Sequence, residues 1–338
     1  MSNNLIGLDI GGTKCAVTYG VNTGADIMIR DKIRFITTNV EETLHNILNA
    51  IDAIVDRNKL QPGLNGTDGR NIAIGISCGG PLDSEAGIVL SPPNLPGWDR
   101  IKIVEMIEER FQIKTAIHND ANASALAEWK FGAGIGCKNM AYLTCSTGLG
   151  SGLILNGQLY TGTNDNAGEL GHIRLSQFGP VGYGKIGSFE GFASGGGIAQ
   201  LARDFLKEKF QMGEKISWCT PEQLGELTAH NVAIAAAKKD PIALGIYKIV
   251  SQYLGRGLAM VIDLLNPELI VIGGIYTRNQ ALMEPIVMEE IQKEALGPAR
   301  VVCKIQPSAL GEEIGDYASL SVALNAISDV SANLQLKR

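Results

Sequence analysis

The 338-residue chain is poor in several features that would mark it for particular classes of protein. Basic residues (29) are outnumbered by acidic ones (35), and the net charge of -6 argues against a dedicated nucleic-acid binder, which usually carries a basic face. No apolar run approaches membrane-spanning length, and the chain reaches an apolar strand at Leu5 without a basic region or cleavage site. A cytoplasmic location is therefore expected, with neither membrane nor nucleic acid as a partner. The six cysteines (Cys15, Cys78, Cys137, Cys145, Cys219, Cys303) form no C-x-x-C pair and sit mostly in apolar runs, so buried, reduced thiols are expected. Neither G-x-x-x-x-G-K-[ST] nor the six-residue dinucleotide fingerprint occurs, which weakens the P-loop and Rossmann readings.

Glycine, by contrast, is abundant: 41 residues, clustered at the ends of apolar runs where tight turns and close backbone approaches are needed. The first segment reads as strands at Leu5–Ile10, Cys15–Tyr19 and Ile27–Phe35, punctuated by Gly11-Gly12 and Asn22-Thr23-Gly24. Apolar spacing predicts a helix over Val40–Asn58, then a strand at Ile72–Ser77, a helix near Ile103–Phe111 and a strand at Lys114–His118. Beyond a helix at Ala121–Phe131, the pattern of the first hairpin returns. Met140–Cys145 runs into Ser146-Thr147-Gly148-Leu149-Gly150 and leaves through Leu153–Leu155, as a degenerate internal duplication. Helices follow at Ile198–Phe210 and within Pro221–Leu265, then a strand Leu269–Ile272 ending in Gly273-Gly274. A last helix near Asp316–Ala326 precedes a polar tail. Length and pattern suit two α/β domains, 1–118 with a returning helix at about 312–338, and 119–311.

Two glycine hairpins, one per domain, could aim backbone N–H groups at phosphate oxygens, although such a turn taken alone is more often just a hairpin turn. A nucleotide held by both would be enclosed when the domains close. Asp9, at the end of the first strand, could hold Mg²⁺ or simply form the turn. In His118-Asn119-Asp120-Ala121-Asn122, Asp120 stands between a strand and a helix, placed either as a helix cap or as an acceptor for a hydroxyl proton. Asn119 offers a donor and an acceptor to a sugar hydroxyl. Glu169 and His172 converge if Gly168–His172 is a turn, and Asn94 and Trp98 lie in a proline-stiffened loop, with Trp98 a platform or a core residue.

Together these pieces resemble the ROK (repressor, open reading frame, kinase) family of the actin-like ATPase superfamily, over about Leu5 to Ala326. The motifs that carry the resemblance are Asp9-Ile10-Gly11-Gly12-Thr13-Lys14, Gly79-Gly80-Pro81-Leu82-Asp83 and Asn94-Leu95-Pro96-Gly97-Trp98. Asn119-Asp120-Ala121-Asn122-Ala123, Ser146–Gly150, Gly168–His172 and Leu265–Gly274 follow in the family's order. The resemblance implies two actin-like (ribonuclease H-like) α/β domains around a central cleft, often as a homodimer. It also implies an ATP- and Mg²⁺-dependent kinase acting on a hydroxyl, O6 foremost, of a hexose or N-acetylhexosamine. By the same resemblance Asp120 is the general base. Gly80, Asn94, Asn119, Glu169, His172 and Glu190 contact the sugar. Gly11, Gly12, Thr13, Lys14, Thr147, Gly148, Gly273 and Gly274 contact ATP, and Asp9 positions the magnesium.

One departure stands out. Many relatives carry C-x-C-G-x-x-G-C-x-E, whose thiolates and a preceding histidine hold zinc. The matching positions here are Val181, Tyr183 and Ser188, with Glu190 and His172 retained. No zinc is expected, and glycine turns with packing of Tyr183, Ile186 and Phe189 are expected to hold the loop instead. The alternative to a kinase is a sugar-sensing, non-catalytic regulator of the same family. Regulators add a DNA-binding domain ahead of the first glycine turn, for which the residues before Asp9 leave no room.

Overall fold

The computed structural model describes residues 3–61 and 72–336. Part of the polar loop expected before Ile72 lies outside the described residues. Strand β1 (Asn3–Ile10) turns at Gly11-Gly12-Thr13 into β2 (Lys14–Asn22) and continues to β3 (Ile27–Ile36). Helix α1 (Val40–Arg57) starts where the Asn39 side chain accepts the Glu42 N–H, and it buries Ile47, Ile51, Ile54 and Val55. Next come β4 (Ile72–Cys78), a small hairpin of β5 (Leu82–Asp83) and β6 (Ile88–Val89), α2 (Ile103–Phe111), β7 (Lys114–Asn119) and α3 (Asp120–Phe131).

The second half opens with β8 (Met140–Cys145), β9 (Leu149–Leu155) and β10 (Gln158–Tyr160), followed by a short hairpin of β11 (Val181–Gly182) and β12 (Lys185–Ile186). Helices α4 (Phe189–Ala193), α5 (Gly195–Gln211), α6 (Ala229–Ala237) and α7 (Pro241–Leu265) precede β13 (Leu269–Gly274). The chain then passes through α8 (Ile275–Arg278), α9 (Gln280–Glu294), α10 (Gly297–Arg300) and β14 (Lys304–Pro307) to α11 (Ile314–Leu336). The tail expected to be irregular is thus still helical at Leu336.

Two compact α/β units result. The first holds the residues up to Gly136, the segment Leu159–Ala167 and the chain from Glu312; the second holds Cys137–Gln158 and Gly168–Gly311. The strand orders are β3-β2-β1-β4-β7 and β10-β9-β8-β13-β14. In each sheet the strand before the glycine turn pairs antiparallel with the strand after it, and parallel with a later strand that itself pairs parallel with the edge strand. The duplication read from one hairpin therefore covers a five-stranded sheet.

Strand alternation assigns the faces in the first unit. Ile6, Leu8 and Ile10 join Ile47, Ile51 and Ile54 of α1 in one core. Gly7 and Asp9, pointing the other way, meet α11. There the helix lies so close that a Cβ at Gly75 would overlap the Ala323 nitrogen and the Ser319 carbonyl. In the second unit Leu143, Ile270 and Ile272 pack against Phe189, Ile198 and Leu258 of α4, α5 and α7. The cysteines are all unpaired, and four of the six are buried. Among the described residues no helix is long and apolar enough to cross a membrane.

Candidate active site

In the first unit the ends of β1, β4 and β7 bring several of the expected site residues together. The Gly11 N–H closes the hairpin turn onto the Lys14 carbonyl at 3.1 Å. Gly12, Thr13 and Lys14 are exposed, and among the described residues the Gly12 and Thr13 amides donate to no recorded acceptor. Gly12 is pressed against the Asn94 backbone, where a Cβ would lie 3.2 Å from the Asn94 Cβ. A Cβ at Gly79 would lie 2.8 Å from Asn94 Oδ1, and one at Gly80 3.8 Å from the Asn119 Cβ. The glycines thus leave room for Asn94 and Asn119 on one side of the sheet end. Trp98, by contrast, is 1% exposed and belongs to the core, not to a binding platform.

The cap of α3 separates two roles that the sequence left joined. Asn119, not Asp120, is the N-cap: its Oδ1 accepts the Asn122 N–H at 2.7 Å, and Asp120 is the first helical residue. Asn119 therefore has its amide NH₂ to offer a ligand, and the Asp120 carboxylate is not consumed by capping. Asp120 is reached by solvent. The recess around it nevertheless raises its pKa by desolvation, against the pull of its own and the Ala121 N–H groups.

Asp9 is pushed up to about 6, first by burial and then by the neighbouring Asp316 and Asp120 carboxylates, with Lys32 and Lys14 opposing. Asp316, from α11, is bound by the Lys32 ammonium and accepts the Thr18 hydroxyl at 3.1 Å. The same unit fixes the segment before Gly168: Asp165 accepts both the Ser84 N–H at 2.6 Å and the Ser84 hydroxyl at 2.7 Å.

The second unit carries the other glycine turn. The Ser146 N–H closes it onto the Gly148 carbonyl at 3.0 Å. Among the described residues the Thr147 and Gly148 amides donate to no recorded acceptor. Beside it, Gly273 and Gly274 pair with Thr144 and Cys145. Gly274 has φ 73°, and a Cβ there would run into the Cys145 carbonyl, so only glycine serves. The Gly195 and Gly196 amides at the start of α5 take the Ser146 and Thr147 carbonyls at 2.7 and 3.1 Å.

Glu190, expected at the sugar, is also tied to the glycine turn. Its carboxylate accepts the Leu149 N–H at 3.0 Å, so it braces the glycine turn. Glu169 caps a single turn of 3-10 helix, Leu170–His172, whose last residue is His172, and both are exposed.

From the glycine turn at Ser146-Thr147 a cavity of about 710 Å³ extends between α5, α6 and α8, with Thr147, Gly196, Ala233 and Ile275 on its walls and Arg203 and Arg278 at polar positions. Of these lining residues only Thr147 was found by sequence reasoning. The available signal was the Gly195-Gly196-Gly197 triplet ahead of a helical pattern.

The Val181–Glu190 segment is held only in part as the sequence suggested: Gly184 and Gly187 turn the chain with φ 73° and 66°. Phe189 is buried, but Tyr183 and Ile186 are 73% and 50% exposed and contribute little packing. Backbone and polar side chains hold it instead, because a hairpin with two residues per strand cannot bury a face of its own.

The donor set decides which metals fit. Val181, Tyr183 and Ser188 around His172 offer no thiolate, and among the described residues no three His, Cys, Asp or Glu side chains converge to hold an ion. Structural zinc does not fit this loop. Magnesium fits differently. It needs one or two carboxylates, with phosphate and water oxygens completing its shell, and Asp9 is a partly buried carboxylate beside other negative groups.

A sequence model of the ROK family matches residues 5–323. The chain is 31% identical over 321 residues to a glucokinase of Halalkalibacterium halodurans, covering 92% of both. It is 30% identical over 292 residues to the DNA-binding transcriptional dual regulator NagC of Escherichia coli, covering 84% of this chain and 67% of that one. A ROK family glucokinase from Streptomyces griseus, solved in complex with glucose and AMPPNP, superimposes with a TM-score of 0.72 at 25% identity, over 96% of this chain and 100% of that one.

Proposed function

The chain belongs to the ROK family, and from that premise we propose that it is an ATP-dependent sugar kinase. It transfers the γ-phosphoryl group to a hydroxyl, O6 foremost, of a hexose or N-acetylhexosamine. The observation that carries this reading is Asp120: a carboxylate released from capping by Asn119, open to solvent and made more basic by its recess. A base at that position takes the hydroxyl proton as the sugar oxygen forms its bond to phosphorus and the bond to ADP breaks. Asn94, the Asn119 amide and the Gly79-Gly80 backbone orient the sugar in the first unit. Glu169, His172 and Glu190 do so in the second.

The free amides of Gly12, Thr13, Thr147 and Gly148 receive phosphate oxygens, and their fixed dipoles stabilise the charge that develops on transfer. Asp9 would hold Mg²⁺, which when bound neutralises phosphate charge and aligns the transferred group. The cavity beside the second turn suits the nucleoside: apolar walls for a base, arginines for its polar edge and phosphates. Polyphosphate would leave it empty, which favours ATP as the donor. A homodimer is the assembly this reading carries with it, tested by sedimentation velocity.

The second reading, a sugar-sensing regulator, is favoured by the similarity to NagC. A coupled ADP-release assay over glucose, mannose, N-acetylglucosamine and N-acetylmannosamine separates the two. Sugar-dependent ADP release supports the kinase; sugar binding without turnover on any of them supports the regulator.

A further inference from the structure

The hairpin Val181–Ile186 is too short to be stable alone, yet it lies directly against two of the residues assigned to the sugar. A Cβ at Gly182 would lie 2.8 Å from the Glu190 Cβ, and the Tyr183 ring meets His172 edge-on with centroids 6.3 Å apart. Lys185 Nζ donates to the His172 carbonyl at 2.8 Å, and Arg174 Nη1 to the Ile186 carbonyl at 2.7 Å. A second side chain from outside the hairpin completes the set. Gln200, in α5, accepts the Val181 N–H at 2.9 Å through Oε1 and donates from Nε2 to the Val181 carbonyl at 2.8 Å. Its amide pairs with both backbone groups of a single residue, as a neighbouring strand would.

Helix α5 is itself fixed to the glycine turn, since its first two amides take the Ser146 and Thr147 carbonyls. Glu190 stands between these attachments, with its carboxylate on the Leu149 N–H at 3.0 Å. The helix thus sets a distance: its first turn holds the phosphate-facing loop, and Gln200 holds the hairpin behind Glu190 and His172.

We propose that Gln200 is a positioning residue for the sugar site, clamping the Val181–Ile186 hairpin so that Glu190 and His172 are presented in register with the glycine turn. In this role Gln200 acts through Val181 and not on the substrate. The proposal rests on the reading of Glu190 and His172 as sugar ligands, and its test separates the two.

Gln200→Leu removes both hydrogen bonds at similar size and keeps helix propensity; Gln200→Glu keeps the acceptor for the Val181 N–H and sets a carboxylate against the Val181 carbonyl. In the full chain, the KM for sugar should rise on the order of tenfold in Gln200→Leu, the scale of losing two neutral hydrogen bonds. The KM for ATP and kcat should stay within about threefold, a split that a general loss of folded enzyme cannot produce. Gln200→Glu should fall between wild type and Gln200→Leu. Hydrogen exchange at the Val181 amide should accelerate in Gln200→Leu, a readout independent of activity. Glu190→Gln and His172→Ala serve as references. If both leave sugar affinity unchanged, the sugar-site reading fails. If they weaken it while Gln200→Leu changes neither the KM for sugar nor exchange at Val181, the positioning role is refuted. Should Gln200→Leu not fold, Gln200→Glu decides the matter by the same criteria.

Discussion

Asp9→Asn should make the ligand-free protein more stable at neutral pH while disabling it. The Asp9 carboxyl is displaced from its ordinary value near 3.8 to about 6. At 1.36 kcal/mol per pH unit, that displacement corresponds to about 3 kcal/mol, and partial access to water reduces it to roughly 1–3 kcal/mol. The sign follows from linkage: the folded state holds this proton more tightly than the unfolded chain, so stability falls as pH rises from about 4 through about 6 and stays low above. Below pH 4 the group is protonated in both states and contributes nothing. Asparagine cannot ionise, so the variant escapes the loss. Urea unfolding of wild type and Asp9→Asn, followed by circular dichroism at matched pH, should show a gain of about 1–3 kcal/mol at pH 7.5 that vanishes by pH 4. A difference independent of pH, or a variant less stable at pH 7.5, would refute the electrostatic argument. Binding should show the complementary trend, with the affinity of the ligand-free wild type for Mg²⁺-ATP weakening below about pH 6 as Asp9 takes up its proton.

Other perturbations probe separate parts of the account. Gly75→Ala should destabilise the first unit by several kcal/mol, since the added methyl has only the Ser319 and Ala323 backbone to displace; a variant with an unchanged urea midpoint would show that α11 sits farther away. Gly148→Ala should raise the KM for ATP at least tenfold, because the methyl would meet Glu190 Oε2 at 2.8 Å and disturb the turn; an unchanged KM would mean the turn does not meet phosphate. Excess EDTA should abolish turnover, reversibly on adding Mg²⁺, whereas a zinc-selective chelator should leave the melting temperature unchanged. About one zinc per chain by elemental analysis, with stability lost on its removal, would contradict the second half of that statement.

The regular elements were legible wherever one residue pattern had one physical reading. β1 and β8 are apolar runs that lead into glycine turns, and α2 carries Ile103, Ile107 and Phe111 at helical spacing, so their extents follow to within two residues. β14 was missed because Lys304–Pro307 is an edge strand with alternating exposure and a proline, and only pairing with β13 makes it a strand. α9 was missed for a similar reason: Pro285 stands inside it, and packing against α7 overrides that propensity.

At the site, the chemistry of the residues could be read but their couplings could not. Asn119 and Asp120 are both good caps, so nothing local says which one caps and which stays free. Glu190 and Leu149 are 41 positions apart, and no local pattern announces the hydrogen bond between them. The same holds for Gln200 and Val181, 19 positions apart. Tyr183 was read as packing because a tyrosine usually packs, but the two-residue hairpin leaves it mostly exposed, with the edge of His172 as its ring contact.

The central claim is that Asp120 accepts the proton of the sugar hydroxyl. Single-turnover and steady-state rates of Asp120→Asn, with sugar affinity measured by calorimetry on the same preparation, test it most directly. The account predicts a loss in kcat of at least about 10²-fold with the sugar Kd within a few-fold of wild type, since asparagine keeps the shape and loses the base. Near-normal turnover by folded, sugar-binding Asp120→Asn would contradict it.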